Sequence, residues 1–471
     1  MTGSSQKCEV LVIGAGPAGL AAAAAAREAG ADVICLDLFA RPGGQYGMQP
    51  ASPASRFEAV SQVAEGRAAA ARCLELGVKL LTETEVFWAE PGFRVFARQG
   101  QEALVIEANQ MIVASGAMER PIPFDGWTLP GVMTAGAAQR LIKANGTLPG
   151  NSTVLAGSGP FLFAVADTFA KAGLRLRAYV ELQGLGSRLL PLFVRHPSRL
   201  KEAAGLLRGL RATGASLHRR HVVVEALGGQ RLEAVRLAPI GGDGKPQRSR
   251  SFTIDGVDSL CIGYGFQPVI DVTSALGAEH RHDTLLGGWR CVADPLTGAT
   301  SVAGLYAAGE TTGIGGAGPA RLSGRIAGLG AAAGAGKTAR ADEIARLARQ
   351  LADARDFAQG LARLFPFPGH LVDELSPSGT LCRCEDVSRA DVEAAIDDGA
   401  GDALAVKMWT RAGMGPCQGR ICGSSLAELV ARRIGVSVAE AGCNRPHMPL
   451  RPVPLSIAGA ALAQADGGCI R

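Results

Sequence analysis

Residues 9–37 read EVLVIGAGPAGLAAAAAAREAGADVICLD, in which three glycines separate a short apolar run from a long alanine-rich one. The run Glu9–Ile13 predicts a buried parallel strand, and Leu20–Ala29 predicts a helix that Gly30 ends. A second strand is predicted over Asp32–Leu36. Glycines between a strand and a helix allow a tight turn, and they let a pyrophosphate approach the helix N-terminus closely. The pattern therefore predicts a dinucleotide site.

The glycine turn and the acid after the second strand are the candidate contacts of that dinucleotide. Asp37 lies 23 residues after Gly14, where a carboxylate can bond the ribose hydroxyls. A lone glycine motif is a weak signal, but here the strand, the helix, the second strand and the acid are all in place. The predicted contacts are Gly14, Gly16, Pro17, Ala18, Gly19 and Asp37.

Three further segments resemble those of the two-dinucleotide flavoprotein family, the thioredoxin-reductase and glutathione-reductase type. They are Arg41-Pro42-Gly43-Gly44-Gln45, Met111–Ala117 and Gly304–Glu310. Each alone would be a plain buried strand or turn, but all three stand in the order of the family. The resemblance implies FAD, with Ser115 where threonine is common and Glu310 where an aspartate usually meets the ribityl chain.

The same resemblance implies a helix over Ala320–Ala333, opened by Gly313–Pro319, whose N-terminus could face the flavin. The FAD contacts that it implies beyond the first turn are Arg41, Gly44, Gln45, Val86, Ala114, Ser115, Gly116, Gly309, Glu310 and Ala317.

A second glycine turn occurs at residues 157–162, which read GSGPFL. The flanking segments Ser152–Ala156 and Arg175–Glu181 predict strands, and Glu181 could hold a ribose. Leu162 stands where a third glycine would be, and a bulky side chain there is expected to push helix and strand apart. The sequence leaves open whether this unit binds NAD(P)H, another nucleotide or nothing.

Disulfide reductases of this type use a Cys-x-x-Cys pair, and none occurs among the 11 cysteines of the chain. Disulfide reduction is therefore disfavoured. Leu189–Leu210, rich in leucine and arginine, predicts a helix inserted into the middle unit. Ala341–Phe365 predicts another helix with one apolar face, which either packs on its own domain or forms a seam with another chain.

Four cysteines near the end of the sequence form two close pairs, Cys382-Arg383-Cys384 and Cys417-Gln418-Gly419-Arg420-Ile421-Cys422. A close pair on a bent backbone can aim both sulfurs at one point, so two pairs can make a four-thiolate cage. An iron–sulfur cluster suits such a cage, zinc is its rival, and four ordinary buried cysteines are the third interpretation. The predicted metal ligands are Cys382, Cys384, Cys417 and Cys422.

Short helices are predicted around these cysteines. Three serine–acid pairs have the spacing of a capping box: Ser388 with Asp391, Ser425 with Glu428, and Ser437 with Glu440. The second cysteine pair would then lie at helix ends and turns, where backbone N–H groups can bond thiolate sulfurs. The module resembles the small helical [2Fe–2S] domain of the bacterioferritin-associated ferredoxin type, although four residues rather than two separate its second pair.

The composition of the chain limits the class of protein to which it can belong. The 471 residues are 47% hydrophobic and 19% charged, with a formal net charge of +5, which predicts a globular chain of several domains. No dense run of lysine or arginine occurs, so a nucleic-acid partner is not expected. The polar start Met1–Lys7 lacks the features of a secretory signal, and the scattered cysteines favour a reducing cytoplasm. No apolar run is long enough to span a bilayer, while peripheral contact with the inner membrane face stays open.

These features predict an α/β flavoprotein with two Rossmann-like dinucleotide-binding domains and a small helical [2Fe–2S] module. The FAD domain is expected over residues 1–145 and 259–340, and the NAD-type middle domain over 146–258. A helical linker is expected over 341–375, and the module with its tail over 376–471.

Four runs extend the resemblance to a narrower family, the alpha subunits of heteromeric, FAD-linked amine and imino-acid dehydrogenases. That family includes opine oxidases and dye-linked proline and hydroxyproline dehydrogenases, and hydrogen cyanide synthase has a similar subunit. The runs are Ala114–Pro121, Gly126–Val132, Cys382–Glu385 and Thr410–Gly423. The match spans nearly the whole chain, with Glu310 and Leu162 as departures.

The resemblance implies a division of labour between chains. A beta subunit of the glycine- or D-amino-acid-oxidase type, with its own flavin, would oxidise a C–N bond. Electrons would pass through the [2Fe–2S] cluster and the FAD of this chain to an external acceptor, and a small third subunit is allowed. The alternatives are a self-contained NAD(P)H-dependent flavin oxidoreductase, a glycine dehydrogenase subunit of the hydrogen cyanide synthase type, and a scaffold whose module only binds partners. No catalytic residue is predicted.

Overall fold

The computed structural model of the protein describes residues 5–50, 61–184 and 187–465. The predicted polar start and the end of the predicted tail lie partly outside these residues. The first part of the chain contains eight strands and three helices: β1 (Gln6–Ile13), α1 (Pro17–Glu28), β2 (Val33–Leu36), α2 (Ser61–Glu75), β3 (Lys79–Leu81), β4 (Thr84–Ala89), β5 (Arg94–Gln99), β6 (Glu102–Val113), β7 (Ala117–Glu119), β8 (Val132–Thr134) and α3 (Ala135–Asn145).

The next part forms a middle domain. Its elements are β9 (Thr153–Gly157), α4 (Pro160–Lys171), β10 (Leu176–Glu181), α5 (Leu190–Arg195), α6 (Leu200–Ala212), β11 (Ser216–Arg219), β12 (His221–Leu227), β13 (Ala234–Pro239), β14 (Phe252–Asp255) and β15 (Ser259–Gly263). A parallel sheet has the order β11-β10-β9-β15-β8, and β12, β13 and β14 form a separate antiparallel sheet.

The chain then returns to its first part. The returning elements are β16 (Phe266–Pro268), α7 (Asp271–Ala275), β17 (His280–Asp283), β18 (Gly288–Cys291), β19 (Leu305–Ala307), α8 (Ala317–Gly334) and α9 (Ala341–Leu364). β19 pairs with β6 and completes a seven-stranded sheet whose main order is β3-β2-β1-β6-β5-β4. We call this sheet with α1, α2 and α8 the N-terminal domain. The pair β7–β16 joins it to the middle domain.

The last part is a small, mainly helical module followed by a tail. It contains β20 (Thr380–Cys382), β21 (Val387–Ser388), α10 (Arg389–Asp397), α11 (Ala403–Thr410), α12 (Gly423–Ile434), α13 (Val438–Ala441) and α14 (Leu455–Ala465). The module has its own apolar core, to which Val392, Val406, Leu426 and Val430 contribute fully buried side chains. The tail helix α14 packs instead on the N-terminal domain, where Ile457 meets Phe87 and Phe96.

Small residues set the packing of the N-terminal domain. β1 lies between β2 and β6, and its Val10, Leu11 and Val12 are completely buried, as expected for a strand covered on both faces. Helices α1 and α8 are in close contact. A Cβ atom added at Gly324 would clash with the Ala18 backbone. The glycines of α8 therefore position the helix next to the predicted nucleotide turn.

We expect Gly324→Ala to lower the free energy of unfolding by about 1–3 kcal/mol, because the added methyl group must push α8 away from α1. Chemical denaturation followed by circular dichroism measures the change. Gly318→Ala, in the first turn of the same helix, is the control, since nothing lies within 4 Å of its added Cβ. Equal effects of the two substitutions would contradict the close packing.

Two predicted helices differ from the observed ones. Leu189–Leu210 is broken into α5 and α6 because Pro197 lacks the N–H that a continuous helix requires. At the break, the imidazole Nε2 of His196 lies 3.1 Å from the Asp356 carboxylate on α9. The prediction that Ser425 caps a helix is wrong, because α12 begins at Gly423, and the Ser425 hydroxyl donates to the Pro121 carbonyl at 2.9 Å.

Leu162 does not occupy the strained position expected from the glycine motif. Its side chain is completely buried in α4, and it fits beside Gly263 of β15, which has no side chain to oppose it. A missing side chain on the neighbouring strand therefore compensates for the bulky one on the helix.

Helix α9 packs on its own chain. Leu347 and Leu351 are buried against Ile326 and Leu329 of α8. The first half of the apolar face predicted for this segment is thus covered by α8, and near its end Gly360 lies against Leu192 of α5. None of the helices in the described ranges combines the length and apolarity that crossing a membrane requires.

Candidate cofactor and cluster sites

The first glycine turn is as tight as its sequence suggests. Gly14 has a φ of 100°, and a Cβ there would meet the Ala114 carbonyl. A Cβ on Gly19 would meet the Gly14 carbonyl, and Gly44 lies directly against Gly16. Three predicted segments, around residues 14, 44 and 114, therefore meet at this point.

The first glycine turn leads directly into helix α1, whose N-terminus has no capping side chain. Gly16 is the N-cap of α1 and Pro17 and Ala18 are its first residues, with no side-chain cap and no acidic residue in the first turn. Unpaired N–H groups at a helix start favour a phosphate. This end of α1 can therefore receive a pyrophosphate.

Asp37 lies at the end of β2 and is buried. Its Oδ2 accepts a hydrogen bond from the Ala15 N–H at 2.6 Å, and its Oδ1 accepts one from the Phe39 N–H at 2.8 Å. Burial raises the pKa of this carboxyl group above its ordinary value. The carboxylate is thus held at the glycine turn, where a ribose would approach.

Ser115 and Gly116 are joined to the returning part of the chain. The Ser115 hydroxyl donates to the Val269 carbonyl at 2.7 Å and lies 3.2 Å from the Thr311 hydroxyl. The Gly116 N–H donates to the same Thr311 hydroxyl at 3.2 Å. Sequence reasoning missed Thr311, although it follows directly after the predicted Gly309 and Glu310.

Glu310 lies in a short 3-10 turn before α8. Its Oε1 accepts from the Gly316 N–H at 3.0 Å, and burial raises the pKa of its carboxyl group. This bond closes the loop that leads into Ala317, the first residue of α8. Glu310 therefore shapes the loop where the family places a shorter aspartate.

The other predicted FAD contacts are Arg41, Gln45 and Val86, which follow the first glycine turn in the sequence. Arg41 is half-buried and Gln45 is exposed beside Gly44. Val86 is half-buried on β4, where it packs against the core of the N-terminal domain.

The second glycine turn repeats the arrangement of the first. Glu181 ends β10 as Asp37 ends β2, and its Oε1 accepts from the Gln183 N–H at 3.0 Å. The N–H of Gly159, in the glycine turn, also bonds this carboxylate. Burial is the largest effect on the Glu181 carboxyl group and raises its pKa to about 7.

We expect Glu181→Gln to raise the free energy of unfolding by up to about 3 kcal/mol at pH 8.5 and to change it little at pH 4.5. The folded pKa of about 7 exceeds the ordinary value of 4.5, so this carboxyl group stabilises the fold when protonated. That stabilisation is complete below pH 4.5 and is lost as the pH rises through 7. Urea titrations at both pH values measure it, with the exposed Glu75→Gln on α2 as control. A pH-independent effect of Glu181→Gln would contradict the assignment.

The four predicted cysteine ligands form two neighbouring pairs, across the two motifs rather than within them. The Cys382 thiol lies next to that of Cys422, and the Cys384 thiol lies next to that of Cys417. The neighbouring Cys422 thiol lowers the pKa of Cys382 to about 5, and Cys382 raises the pKa of Cys422 far above its ordinary value. Cys384 is exposed, while Cys382 and Cys422 are buried.

Backbone groups surround the sulfurs. The N–H groups of Gly413, Glu385 and Cys384 interact with the Cys382 sulfur. Helix α12 begins immediately after Cys422, so its positive end lies beside that sulfur. Backbone donors and a helix N-terminus both favour a thiolate or a sulfur-bound cluster.

As they stand, the side chains do not yet form a closed metal site. Among the described residues, no group of three or more His, Cys, Asp or Glu side chains is arranged to hold a metal ion. The donor set nevertheless suits an iron–sulfur cluster, because two neighbouring thiol pairs supply four sulfur ligands and backbone N–H groups lie beside the Cys382 sulfur. A buried amide beside the loop, that of Asn444, has neither of its polar atoms hydrogen-bonded to a described residue.

Arg420, within the second cysteine motif, clamps the cysteine loop to the N-terminal domain. Its Nε donates to the Asp271 carboxylate of α7 at 2.9 Å, and its Nη1 donates to the Cys417 carbonyl at 3.1 Å. The Gln267 amide donates in return to the Arg420 carbonyl at 2.9 Å. Sequence reasoning assigned Arg420 to the motif but gave it no contact.

A second set of contacts docks the module through the run 120–127. The buried Arg120 guanidinium forms an ion pair with Glu428 of α12 at 3.1 Å and lies 3.5 Å from the centre of the Phe367 ring. The Trp127 indole N–H donates to the Thr380 carbonyl, next to the first cysteine pair, at 2.7 Å. Residues quoted as a family signature therefore form an interface with the module, and Trp127 of this run packs on the core of the middle domain.

The comparisons with known proteins agree with this architecture. The family model for pyridine nucleotide-disulphide oxidoreductases matches residues 8–336. The chain belongs to this family. Membership confirms the predicted α/β flavoprotein fold and makes the chain an FAD-dependent oxidoreductase. A second model, the sarcosine oxidase A3 domain, matches residues 380–462, which include both cysteine pairs.

Curated relatives place this member of the pyridine nucleotide-disulphide oxidoreductase family more narrowly. An opine oxidase subunit from Rhizobium meliloti (strain 1021) is 34% identical over 465 residues, covering 95% of this chain and 97% of the relative. Hydrogen cyanide synthase subunit HcnB of Pseudomonas aeruginosa is 30% identical over 468 residues, covering 95% and 97%. These relatives confirm the narrower resemblance drawn from the four runs.

A solved structure shares the fold over nearly the whole chain. L-proline dehydrogenase from P. horikoshii matches with a TM-score of 0.71 at 20% sequence identity, covering 96% of this chain and 80% of that one. At this identity the likeness shows a common fold.

Proposed function

We propose that this chain is the electron-transferring subunit of a heteromeric, FAD-dependent dehydrogenase that oxidises the C–N bond of an opine, a proline-like acid or another amino acid. The observation that carries the proposal is that Cys382 lies next to Cys422 and Cys384 next to Cys417, in a module docked on the rest of the chain through Arg420 and Glu428. The relatives named as oxidase and synthase subunits support a role beside another chain.

Two groups of residues would hold the redox groups. The turn at residues 14–19 with Asp37 would bind the adenine dinucleotide half of FAD, and Ser115, Gly116 and Glu310 would lie towards its flavin half. The four cysteines would hold a [2Fe–2S] cluster. When bound, FAD exchanges electrons in pairs or singly, and the cluster carries one electron at a time.

The contacts between the module and the rest of the chain would hold the cluster and the FAD in fixed positions relative to each other. Arg420 and Gln267 bind the second cysteine motif directly to the returning part of the N-terminal domain, and Val269 of the same segment bonds Ser115. The cysteine loop and the predicted flavin contacts are thus parts of one hydrogen-bonded structure.

The proposed partner is a beta subunit of the glycine- or D-amino-acid-oxidase type with its own flavin, and a small third subunit is compatible with it. We expect the complex purified with this partner to contain flavin, iron and acid-labile sulfide, and to reduce an artificial dye with an opine, proline or glycine. Flavin without iron or sulfide would overturn the relay, and zinc without sulfide would make the cage a structural zinc site.

A second candidate function rests on the middle domain. Because Glu181 repeats the arrangement of Asp37, this domain retains the geometry of a dinucleotide site. A self-contained NAD(P)H-dependent flavin oxidoreductase would show rapid bleaching of its flavin when NADH is added to the isolated chain. Absence of bleaching, together with dye reduction by the complex, would favour the subunit function.

A further inference from the structure

A cavity lies between the N-terminal domain and the module. Its walls come from β16 to β18 on one side and from the second cysteine motif with the start of α12 on the other. Its volume is about 110 Å³. One water needs roughly 10–15 Å³ by this measure, so a molecule of about 7 to 11 non-hydrogen atoms fits and a dinucleotide does not.

Four side chains that line this cavity carry buried polar atoms without a hydrogen-bond partner among the described residues. The atoms are Arg120 Nε, Trp289 Nε1, Ser424 Oγ, and both Nδ2 and Oδ1 of Asn444. Buried polar atoms of this kind are costly unless something bonds them. Four of these five atoms can donate a hydrogen bond, whereas the Asn444 Oδ1 can only accept one. A ligand with several acceptor atoms would therefore satisfy most of them.

A helix end contributes a partial positive charge at the cavity. Arg120 is paired with Glu428 through Nη2 and Arg420 with Asp271, so both guanidinium charges are compensated, while the Arg120 Nε has no partner among the described residues. Ser424 lies in the first turn of the twelve-residue helix α12, whose N-terminus favours an anion.

We propose that this cavity binds a small organic carboxylate that carries a hydrogen-bond donor next to the carboxyl group, as an α-amino, α-imino or α-hydroxy acid does. The carboxylate takes the donors of Arg120, Trp289 and Ser424. The neighbouring N–H or O–H of the ligand binds the Asn444 oxygen. The proposed ligand goes beyond the proposed redox role, and the cavity borders the second cysteine motif through Gln418, Gly419 and Arg420.

Isothermal titration calorimetry of the full chain with three probes tests the site. L-proline has the carboxylate and the donor, acetate has only the carboxylate, and inorganic phosphate is a tetrahedral anion that lacks a carboxylate. We expect proline to bind more tightly than acetate and acetate more tightly than phosphate. Phosphate binding as tight as proline binding, or no binding of any probe, would overturn the proposal.

Three substitutions separate the roles of the lining residues. Trp289→Phe and Ser424→Ala each remove one donor with little change of shape, and each is expected to weaken proline binding about tenfold or more. Asn444→Ala should abolish the preference for proline over acetate. Trp88→Phe, on β4 and outside the cavity, is the matched control and should bind as the natural protein does. Unchanged affinity in Ser424→Ala and in a folded Trp289→Phe would contradict the site.

Discussion

We expect Cys417→Ser to remove bound iron and acid-labile sulfide almost completely from the purified complex. The rate of dye reduction should fall at least a hundredfold. Serine cannot replace a thiolate ligand of a [2Fe–2S] cluster at full strength, and Cys417 lies beside Cys384 in the four-thiol group. Iron and sulfide assays, together with the visible absorption of the cluster, measure the loss.

Cys443→Ser provides the matched control for this experiment. Cys443 is a half-buried cysteine of the same module, and it is not one of the four paired thiols. Its substitution should leave iron and sulfide content unchanged. Dye reduction retained by Cys417→Ser in an intact complex would mean that the module only binds partners, and iron retained in that variant would mean that Cys417 is not a ligand.

The second large effect is expected at the contact between the module and the run 120–127. Arg120→Met should destabilise the protein by about 3–5 kcal/mol, because it leaves the Glu428 carboxylate without its cation. The side chains of this pair are only 6% and 16% exposed, so solvent screens the lost interaction little. Burial already lowers the pKa of Arg120 to about 10, which indicates how dry the contact is.

A double-mutant cycle distinguishes the ion pair from packing. Arg120→Met combined with Glu428→Met should recover most of the lost stability, since two apolar side chains of similar volume often replace a buried pair at little cost. Arg433→Met, also on α12, breaks an exposed pair with Asp397 and should cost no more than about 1 kcal/mol. Additive effects of the two Met substitutions would contradict the direct coupling.

The fold could be predicted from the sequence at positions where only one type of residue fits the local structure. Gly14 and Gly19 admit no side chain, and the buried strand before them has an apolar pattern that solvent would not tolerate. The position of Asp37 follows from the same pattern. Leu162 was misjudged, because the residue that makes room for it, Gly263, is about a hundred positions away and no local pattern links them.

The cysteine pairing illustrates another limit of sequence reasoning. Spacing indicated four sulfurs near one point, but it could not show that Cys382 meets Cys422 and that Cys384 meets Cys417. Arg120 and Trp127 were identified only as part of a family run, since their partners Glu428 and Thr380 are about 250 to 310 residues further on. Long-range polar contacts leave no periodicity in the sequence, whereas helices and strands do.

The route of the chain through the module limits how the module can move. After α13 the chain runs back to the N-terminal domain, where the Leu450 N–H donates to the Phe87 carbonyl at 2.8 Å and α14 is packed. The module is thus anchored at both of its ends, unlike a carrier domain that swings on a single flexible arm. If the proposed electron-transfer role holds, electrons would cross a fixed distance, and the transfer rate should not depend on solvent viscosity.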